Sequence, residues 1–446
     1  MAETVKTGSW KNDLPPHSTP RQSAPVVDPL RVRPGSPRGL GPARPPVPHG
    51  AYADRTELML RRLHRSIAPR FARAEPRDRA FAFLRGMVSS AERRNGRRLA
   101  ENAGEPRPDG MQRLLTSARW SADALRDDLR DVIVEHLGDP RSVLVLNEAG
   151  FSKKGDRSVG VSPQLSPSTG VVENCQVAVF LTYSAPRAQA IVDRELYLPT
   201  RWARDPARRA RARVPADVPY RDRGLLGREM IRRAVAARTP ASWVAASSPY
   251  GQDAELRRWL TERGVPHVLG VRPDERLLLP LDGRTVQAVP EEIIAGIPPR
   301  DWLPTPDHDD PVRRSSVCHS ARALLRRGGD RRPAQWLLVR RDIRRTRVYL
   351  CSAPPSASLR ELVDVARRAE RAPSCVESAR HEVGLDHYEV RLWKAWYRYI
   401  TLALLAHACV TLAAEDAPPA NARAVNARAV NAPSMNAARL RGVRLA

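Results

Sequence analysis

The chain is poor in cysteine and in long apolar runs. Its five cysteines (Cys175, Cys318, Cys351, Cys375 and Cys409) include no Cys-x-x-Cys pair, which argues against a zinc ribbon and against a disulfide framework. The longest apolar run, residues 400–414, contains His407 and is shorter than a bilayer span. The amino terminus lacks the apolar core of a secretory signal. We therefore expect a cytoplasmic protein with no membrane partner, whose apolar run is a buried helix.

Acidic residues and lysines are also scarce. The chain has 49 acidic and 75 basic residues, which gives a formal net charge of +26. Only five of the basic residues are lysine, and this arginine bias is what a GC-rich genome produces. Aspartate and glutamate are GC-encoded too, so codon usage does not explain the excess of base. That excess favours a polyanionic partner, and we expect double-stranded DNA and a nucleoid-associated location.

Composition divides the chain into four segments. Residues 1–52 are rich in Pro, Arg, Gly and Ser without apolar periodicity, which predicts a disordered basic arm. Residues 53–138 predict a helical domain, and residues 139–414 predict an α/β domain with a β-rich insertion at 273–358. Residues 415–446 are low in complexity, since the five residues 421–425 recur at 426–430. This duplication suggests weak selection on the tail.

Apolar spacing predicts the elements of the two central segments. In the helical segment, the two apolar stripes are Leu58, Leu60, Leu63 and Ile67, then Phe81, Phe83, Leu84 and Met87. Further helices are predicted at 111–118 and 122–137. Next come strands at 142–146, 176–183 and 188–197, a helix at 225–237, a strand at 243–246, a helix at 254–263 and a strand at 267–271. Strands at 336–340 and 348–352 precede a helical region at 359–414. The fold class is therefore mixed α/β.

Five blocks of sequence resemble one family. Residues 143–155 read VLVLNEAGFSKKG and resemble the first catalytic strand of the bacterial insertion-sequence DDE transposases, which ends in Asp-Glu-Thr-Gly-Phe-x-Lys-Lys-Gly. The resemblance continues through VENCQV (172–177), DRELYLP (193–199), EVGLDHYEVR (382–391) and WYRYITLA (396–403). It covers most of residues 55–410. It implies a helical DNA-binding module, a ribonuclease H-like domain with a β-rich insertion, and cutting and joining of DNA.

The resemblance also places the catalytic positions. The family uses two divalent metals, usually Mg²⁺, held by three carboxylates. Here Asn147 replaces the first, and Ser247 and Ser248 replace the Asp-Glu pair that contains the second. In the pattern Arg-x3-Glu-x6-Lys, Pro373 replaces the glutamate and Arg380 the lysine. These positions carry no negative charge, so we expect no bound metal cofactor and a loss of catalysis.

Three neighbouring acids could compensate. Glu148 adjoins Asn147, but successive side chains of a strand point to opposite faces. Asp253 lies near the start of the predicted helix 254–263, where we expect it to cap. Glu377 is one helical turn past Pro373, about 6 Å along the axis, and is a weak candidate replacement. Proline inside a helix costs about 3 kcal/mol, so one interpretation is that a helix begins at Pro373.

Arginines beside two predicted turns are the candidate DNA contacts. The turns are Asn95-Gly96 and Asp109-Gly110, in blocks that resemble the family's DNA-binding region. The candidate residues are Arg93, Arg94, Arg97, Arg98 and Arg113, together with Arg380. A homodimer is compatible with the sequence.

Three alternatives stay open at this point. These alternatives to a DNA-binding protein without catalysis are an active transposase with displaced acids, a decaying transposase reading frame, and a fold reused for non-phosphoryl chemistry. The last would use a pocket lined by Asn147, Ser247, Ser248 and Cys375.

Overall fold

The computed structural model describes residues 49–415, except 90–92, 249, 282–283, 307–316, 329–332 and 344. The described residues belong to one compact unit. The predicted tail at 415–446, except residue 415, and the predicted arm up to residue 48 lie outside them. The first helix begins at residue 49, within the last residues of the predicted arm.

The amino-terminal segment is helical, as predicted. Its helices are α1 (His49–Ile67), α2 (Ala74–Val88), α3 (Gly96–Asn102), α4 (Asp109–Thr116) and α5 (Ala122–Leu137). Leu60, Leu63 and Ile67 are buried, but Leu58 is 50% exposed. The prediction for Leu58 was wrong because residues two apart on a helix point about 200° apart. Within the second stripe, Phe83, Leu84 and Met87 are buried.

The central sheet has the strand order of a ribonuclease H-like fold. Its elements, with the helices between them, are β1 (Val143–Ser152), β2 (Ser162–Leu165), β3 (Val172–Ser184), β4 (Gln189–Leu196), α6 (Thr200–Ala203), α7 (Pro206–Arg211), α8 (Arg223–Ala236), β5 (Trp243–Ala246), α9 (Ala254–Glu262) and β6 (His267–Val271). β3 is antiparallel to β1 and β4, whereas β1, β5 and β6 are parallel neighbours. The short β2 pairs with the beginning of β3.

The insertion extends this sheet. It comprises β7 (Leu277–Leu281), β8 (Arg284–Ala288), α10 (Pro290–Ala295), β9 (Leu303–Pro306), β10 (Val317–Arg326), β11 (Ala334–Arg341) and β12 (Thr346–Ala353). β12 pairs antiparallel with β6, and β11, β10 and β9 follow in order. β7 and β8 form a separate hairpin.

Two long helices complete the fold, α11 (Leu359–Val383) and α12 (Trp393–Glu415). The predicted helical region 359–414 is broken after α11 by Gly384, whose φ is +66°. α11 begins at Leu359, capped by the Ser358 hydroxyl, and contains Pro373 in its interior. The interpretation that a helix begins at Pro373 was therefore wrong, because the packing of α11 overrides the local cost of proline.

α12 is the central helix of the core. By length and composition it could cross a membrane, but 89% of its most apolar 18-residue window is buried inside the protein. The predicted buried helix at 400–414 is thus confirmed. One continuous core joins α12 to buried residues of α1, α2, α4 and α5 and to the sheet. The helical segment therefore shares its core with the ribonuclease H-like part.

Candidate functional site

Strands β1 and β5 place the first two catalytic positions side by side. Leu146 of β1 pairs in parallel register with Ala246 of β5, so Asn147 and Ser247 follow at the same level. Side chains alternate along a strand, and Val145, two residues before Asn147, packs in the core cluster formed with α11. Asn147 therefore faces α11, in the middle of β1 and just past the end of its parallel pairing with β5.

Helix α11 runs alongside β1 and brings the third position to the same region. Arg368 donates to the carbonyl of Ser184, which pairs with the first residue of β1, at 2.6 Å. Three turns later, Arg380 donates to the carbonyl of Gly150, near the end of β1, at 2.6 Å. Pro373 lies between these two arginines and is exposed. The part of α11 that contains Pro373 therefore runs beside β1, the strand of Asn147.

The groups at these positions do not suit a divalent metal. Asn147 is fully buried, and its Oδ1 accepts a hydrogen bond from the Thr182 hydroxyl at 3.2 Å. Its Nδ2 has no hydrogen-bond partner in the part of the chain that the structure describes. Ser247 offers a neutral hydroxyl, and the side chain of Pro373 has no atom that can bind a metal ion. Because protein sites bind Mg²⁺ through carboxylate oxygens in addition to waters and phosphates, these residues, which offer no carboxylate, do not fit the family's metal pair.

The neighbouring acids have other partners. Glu148 is on the opposite face of β1, where its carboxylate pairs with Arg223 at 2.6 Å. Asp253 caps α9 by accepting from the backbone of Leu256 at 3.0 Å. Both predictions are confirmed. Within the described residues, no group of three His, Cys, Asp or Glu side chains is arranged to hold a metal ion.

Glu377 lies about one helical turn after Pro373 on α11. Its side chain is 49% exposed and pairs with Arg380 at 2.7 Å. The guanidinium of Arg380 also donates to the Ser168 hydroxyl at 3.1 Å and lies over the Phe151 ring at 5.1 Å. Arg380 thereby links α11 to the end of β1, and only 14% of its side chain is exposed.

The predicted DNA contacts of the helical segment differ in accessibility. Arg93 is exposed, and the side chains of Arg97 and Arg98 are 80% and 62% exposed while they share Glu101. Arg113 is 63% exposed and 3.9 Å from Glu75.

Arg94, in contrast, is buried. It donates to the carbonyls of Ser89 at 2.7 Å and His381 at 3.4 Å, and burial lowers the pKa of its guanidinium. Including Arg94 among the DNA contacts was wrong, because its charged group joins α2 to the end of α11 and does not face solvent.

Cys375 is not a nucleophile in this arrangement. Its side chain is buried, and its Sγ donates to the carbonyl of Gln189 at 3.7 Å. Burial raises the pKa of the thiol to about 12, whereas a reactive cysteine needs thiolate at neutral pH. A reused pocket lined by Cys375 would therefore have no reactive thiolate at that position.

The block DRELYLP has a structural role that the sequence did not reveal. Asp193 and Glu195 project from the same face of β4, and Arg233 of α8 bridges them at 2.9 and 2.8 Å. Tyr397 of α12 donates to Glu195 at 2.8 Å. The i, i+2 spacing of the two acids was a visible signal, but their partners lie about 40 and 200 residues away.

The comparison with known families agrees with this architecture. The model of the DDE superfamily endonucleases matches residues 66–341, which is more than half of the chain. The match includes the positions of Asn147 and Ser247 and ends before Pro373. No curated protein matches the chain significantly. The chain belongs to the DDE superfamily endonucleases, a transposase-like nuclease family that acts on DNA.

Proposed function

We propose that this protein is a DNA-binding member of the family that has lost metal-dependent strand cleavage. One observation supports the proposal: Asn147 and Ser247 follow the last paired residues of the neighbouring strands β1 and β5, and α11 carries Pro373, so an amide, a hydroxyl and a proline stand at the positions where the resemblance expects carboxylates. Two-metal phosphoryl transfer needs those charges to position the metals and to activate the attacking water. The scaffold of the nuclease is retained while its metal ligands are replaced.

We expect no cleavage of DNA by the full chain. A supercoiled plasmid incubated with the protein in Mg²⁺ or Mn²⁺ should stay supercoiled, as measured by gel electrophoresis. The decisive variant is Glu377→Ala, with Glu361→Ala as the control because Glu361 is an exposed acid in the first turn of the same helix. Nicking that survives Glu361→Ala but disappears with Glu377→Ala would contradict the proposal and identify Glu377 as a displaced metal ligand.

We expect the helical segment to contact the phosphates of duplex DNA through Arg93, Arg97, Arg98 and Arg113. Each phosphate contact contributes about 0.9 to the slope of log K against log salt concentration. The full chain carrying Arg93→Gln, Arg97→Gln and Arg98→Gln should therefore show a slope smaller by up to about 2.7. The measurement is fluorescence anisotropy with a labelled duplex at several salt concentrations.

The control removes three exposed arginines of the insertion, with Arg276→Gln, Arg284→Gln and Arg300→Gln, and should leave the slope unchanged. We call it the insertion control. A natural chain that is folded but shows no salt-sensitive binding to any duplex would instead mean that the arginines reflect codon usage.

A further inference from the structure

The segment between β4 and α8 carries a concentration of positive charge, separate in sequence from the exposed arginines of the helical segment. Residues 200–213 contain one acid, Asp205, and six arginines: Arg201, Arg204, Arg208, Arg209, Arg211 and Arg213. The carboxylate of Asp205 caps α7, because it accepts a hydrogen bond from the backbone N–H of Arg208 at 2.8 Å. The segment therefore presents a strong excess of positive charge.

The six arginines of this segment share the lack of an acidic partner in the described part of the chain. Within the described ranges, none of them forms an ion pair with Asp or Glu within 4.0 Å. Several arginines of the next stretch are paired: Arg221 with Glu229, Arg223 with Glu148, and Arg228 with Glu255. The guanidinium groups of the six arginines in 200–213, in contrast, are not held by carboxylates of the described chain.

Two of the six arginines hold the segment in place. Arg208 lies over the Trp202 ring at 4.4 Å and donates to the carbonyls of Asp156 and Val161 at 3.1 and 3.2 Å. Arg209 donates to the carbonyls of Pro215 and Val218 at 3.0 and 2.7 Å. These contacts fix the backbone of α6 and α7, so the remaining arginines project from an ordered support.

The other four arginines, Arg201, Arg204, Arg211 and Arg213, are exposed. Beside them is a cleft of about 760 Å³, whose lining includes the cations Lys154, Arg201 and Arg208 and the acids Asp156 and Asp205. Lys154 is exposed and lies two residues after the end of β1, the strand that carries Asn147. The cleft therefore opens near the carboxyl end of the strand that carries the first catalytic position.

We infer that Lys154, Arg201, Arg204, Arg211 and Arg213 form a second surface that binds the phosphate backbone of duplex DNA. We call this set the arginine surface, and its assignment rests on the proposed DNA-binding function. Its cations are distributed along a segment and do not converge on one point, which suits a polyanion better than a single phosphate. Guanidinium groups bind phosphate oxygens in bidentate geometry, and such contacts position a duplex without reading its sequence.

The test uses the full chain with Arg201→Gln, Arg204→Gln and Arg211→Gln, and a labelled 20-base-pair duplex of mixed sequence. If these arginines each contact a phosphate, the slope of log K against log salt should fall by about 2.7. The insertion control removes the same charge elsewhere and should keep the slope of the natural chain. The variant Lys154→Gln, outside the helices, should lower the slope by about 0.9. It keeps the test decisive if the triple variant fails to fold, as judged by circular dichroism.

The outcomes separate the two proposals. If the natural chain binds DNA with a steep salt dependence and both the triple variant and Lys154→Gln keep that slope, the arginine surface is refuted while the DNA-binding function stands. If the natural chain shows no salt-sensitive binding, both proposals fail. Equal loss of slope in the triple variant and the insertion control would also refute the arginine surface, because the effect would then follow net charge alone.

Discussion

Restoring the three carboxylates, with Asn147→Asp, Ser247→Asp and Pro373→Glu, should produce a protein that Mn²⁺ stabilises. The natural chain should melt at the same temperature with and without the metal. The expectation follows from the register of β1 and β5, which brings residues 147 and 247 to neighbouring strands, and from the resemblance, which assigns the third ligand to Pro373 on α11. A ligand present at 100 to 1,000 times its Kd stabilises a folded protein by about 2.7 to 4.1 kcal/mol.

Without metal, the reverted protein should be destabilised by repulsion among the new carboxylates. Removing Pro373 from the interior of α11 offsets part of this loss, by up to about 3 kcal/mol. The matched control carries Asn147→Asp, Ser248→Asp and Pro373→Glu, which adds equal charge one residue away, at an exposed position. Its melting temperature should respond to Mn²⁺ much less.

Thermal unfolding followed by circular dichroism measures both variants. A reverted protein that is folded but unaffected by Mn²⁺ would show that the assignment of the three positions is wrong. An increase in the melting temperature of the natural chain would show that other acids bind the metal.

Sequence patterns located the elements whose signals are local. The helix Ala122–Leu137 and the strands Trp243–Ala246 and His267–Val271 begin and end where predicted. The helix is capped by the Ser121 hydroxyl, a start signal that can be read directly. The two strands are continuous apolar runs, which are typical of strands buried on both faces.

The insertion was harder to predict because its pairing is not local. β7 contains Pro280, and β8 carries Arg284, Thr285 and Gln287, so neither has the apolar alternation of a strand. The pairing of β12 with β6 joins segments about 80 residues apart. No pattern within either strand specifies that partner, so the continuity of the sheet became apparent only in the folded chain.

At the site, the resemblance supplied the positions and the structure supplied their surroundings. Two features could be predicted from local geometry. Side-chain alternation along a strand predicted that Glu148 would face away from Asn147, and the position before a predicted helix indicated that Asp253 would cap it. The burial of Arg94 depends on His381, which is 287 residues away, and could not be read from a turn sequence. Ion pairing is equally invisible in sequence, so the unpaired arginines of 200–213 resembled all the others.

One buried arginine adds polar contacts to the apolar core that joins the helical segment to α12. Arg398 is fully buried, and its guanidinium donates to the carbonyls of Leu114, Ala118 and Trp120 at 3.1, 2.5 and 2.7 Å. It also lies over the Trp120 ring at 4.5 Å. Burial lowers the pKa of Arg398 to about 10, so it still carries its charge at neutral pH. These contacts join α12 to the end of α4 and to the turn before α5.

Substitution of Arg398 by methionine should destabilise the protein by about 2 to 6 kcal/mol, because the carbonyls of Ala118 and Trp120 lose their donor and each such loss costs about 1 to 3 kcal/mol. The Leu114 carbonyl still accepts from the Trp120 indole. Lys394→Met is the control, since Lys394 is exposed one turn earlier on α12 and such changes stay within about 0.5 kcal/mol. Urea unfolding measures both. Equal midpoints for Arg398→Met and the natural chain would mean that apolar contacts alone hold the helical segment. A reduced midpoint would explain why residues 53–138 should not fold as an isolated fragment, since α12 supplies both their core and the donors for their carbonyls.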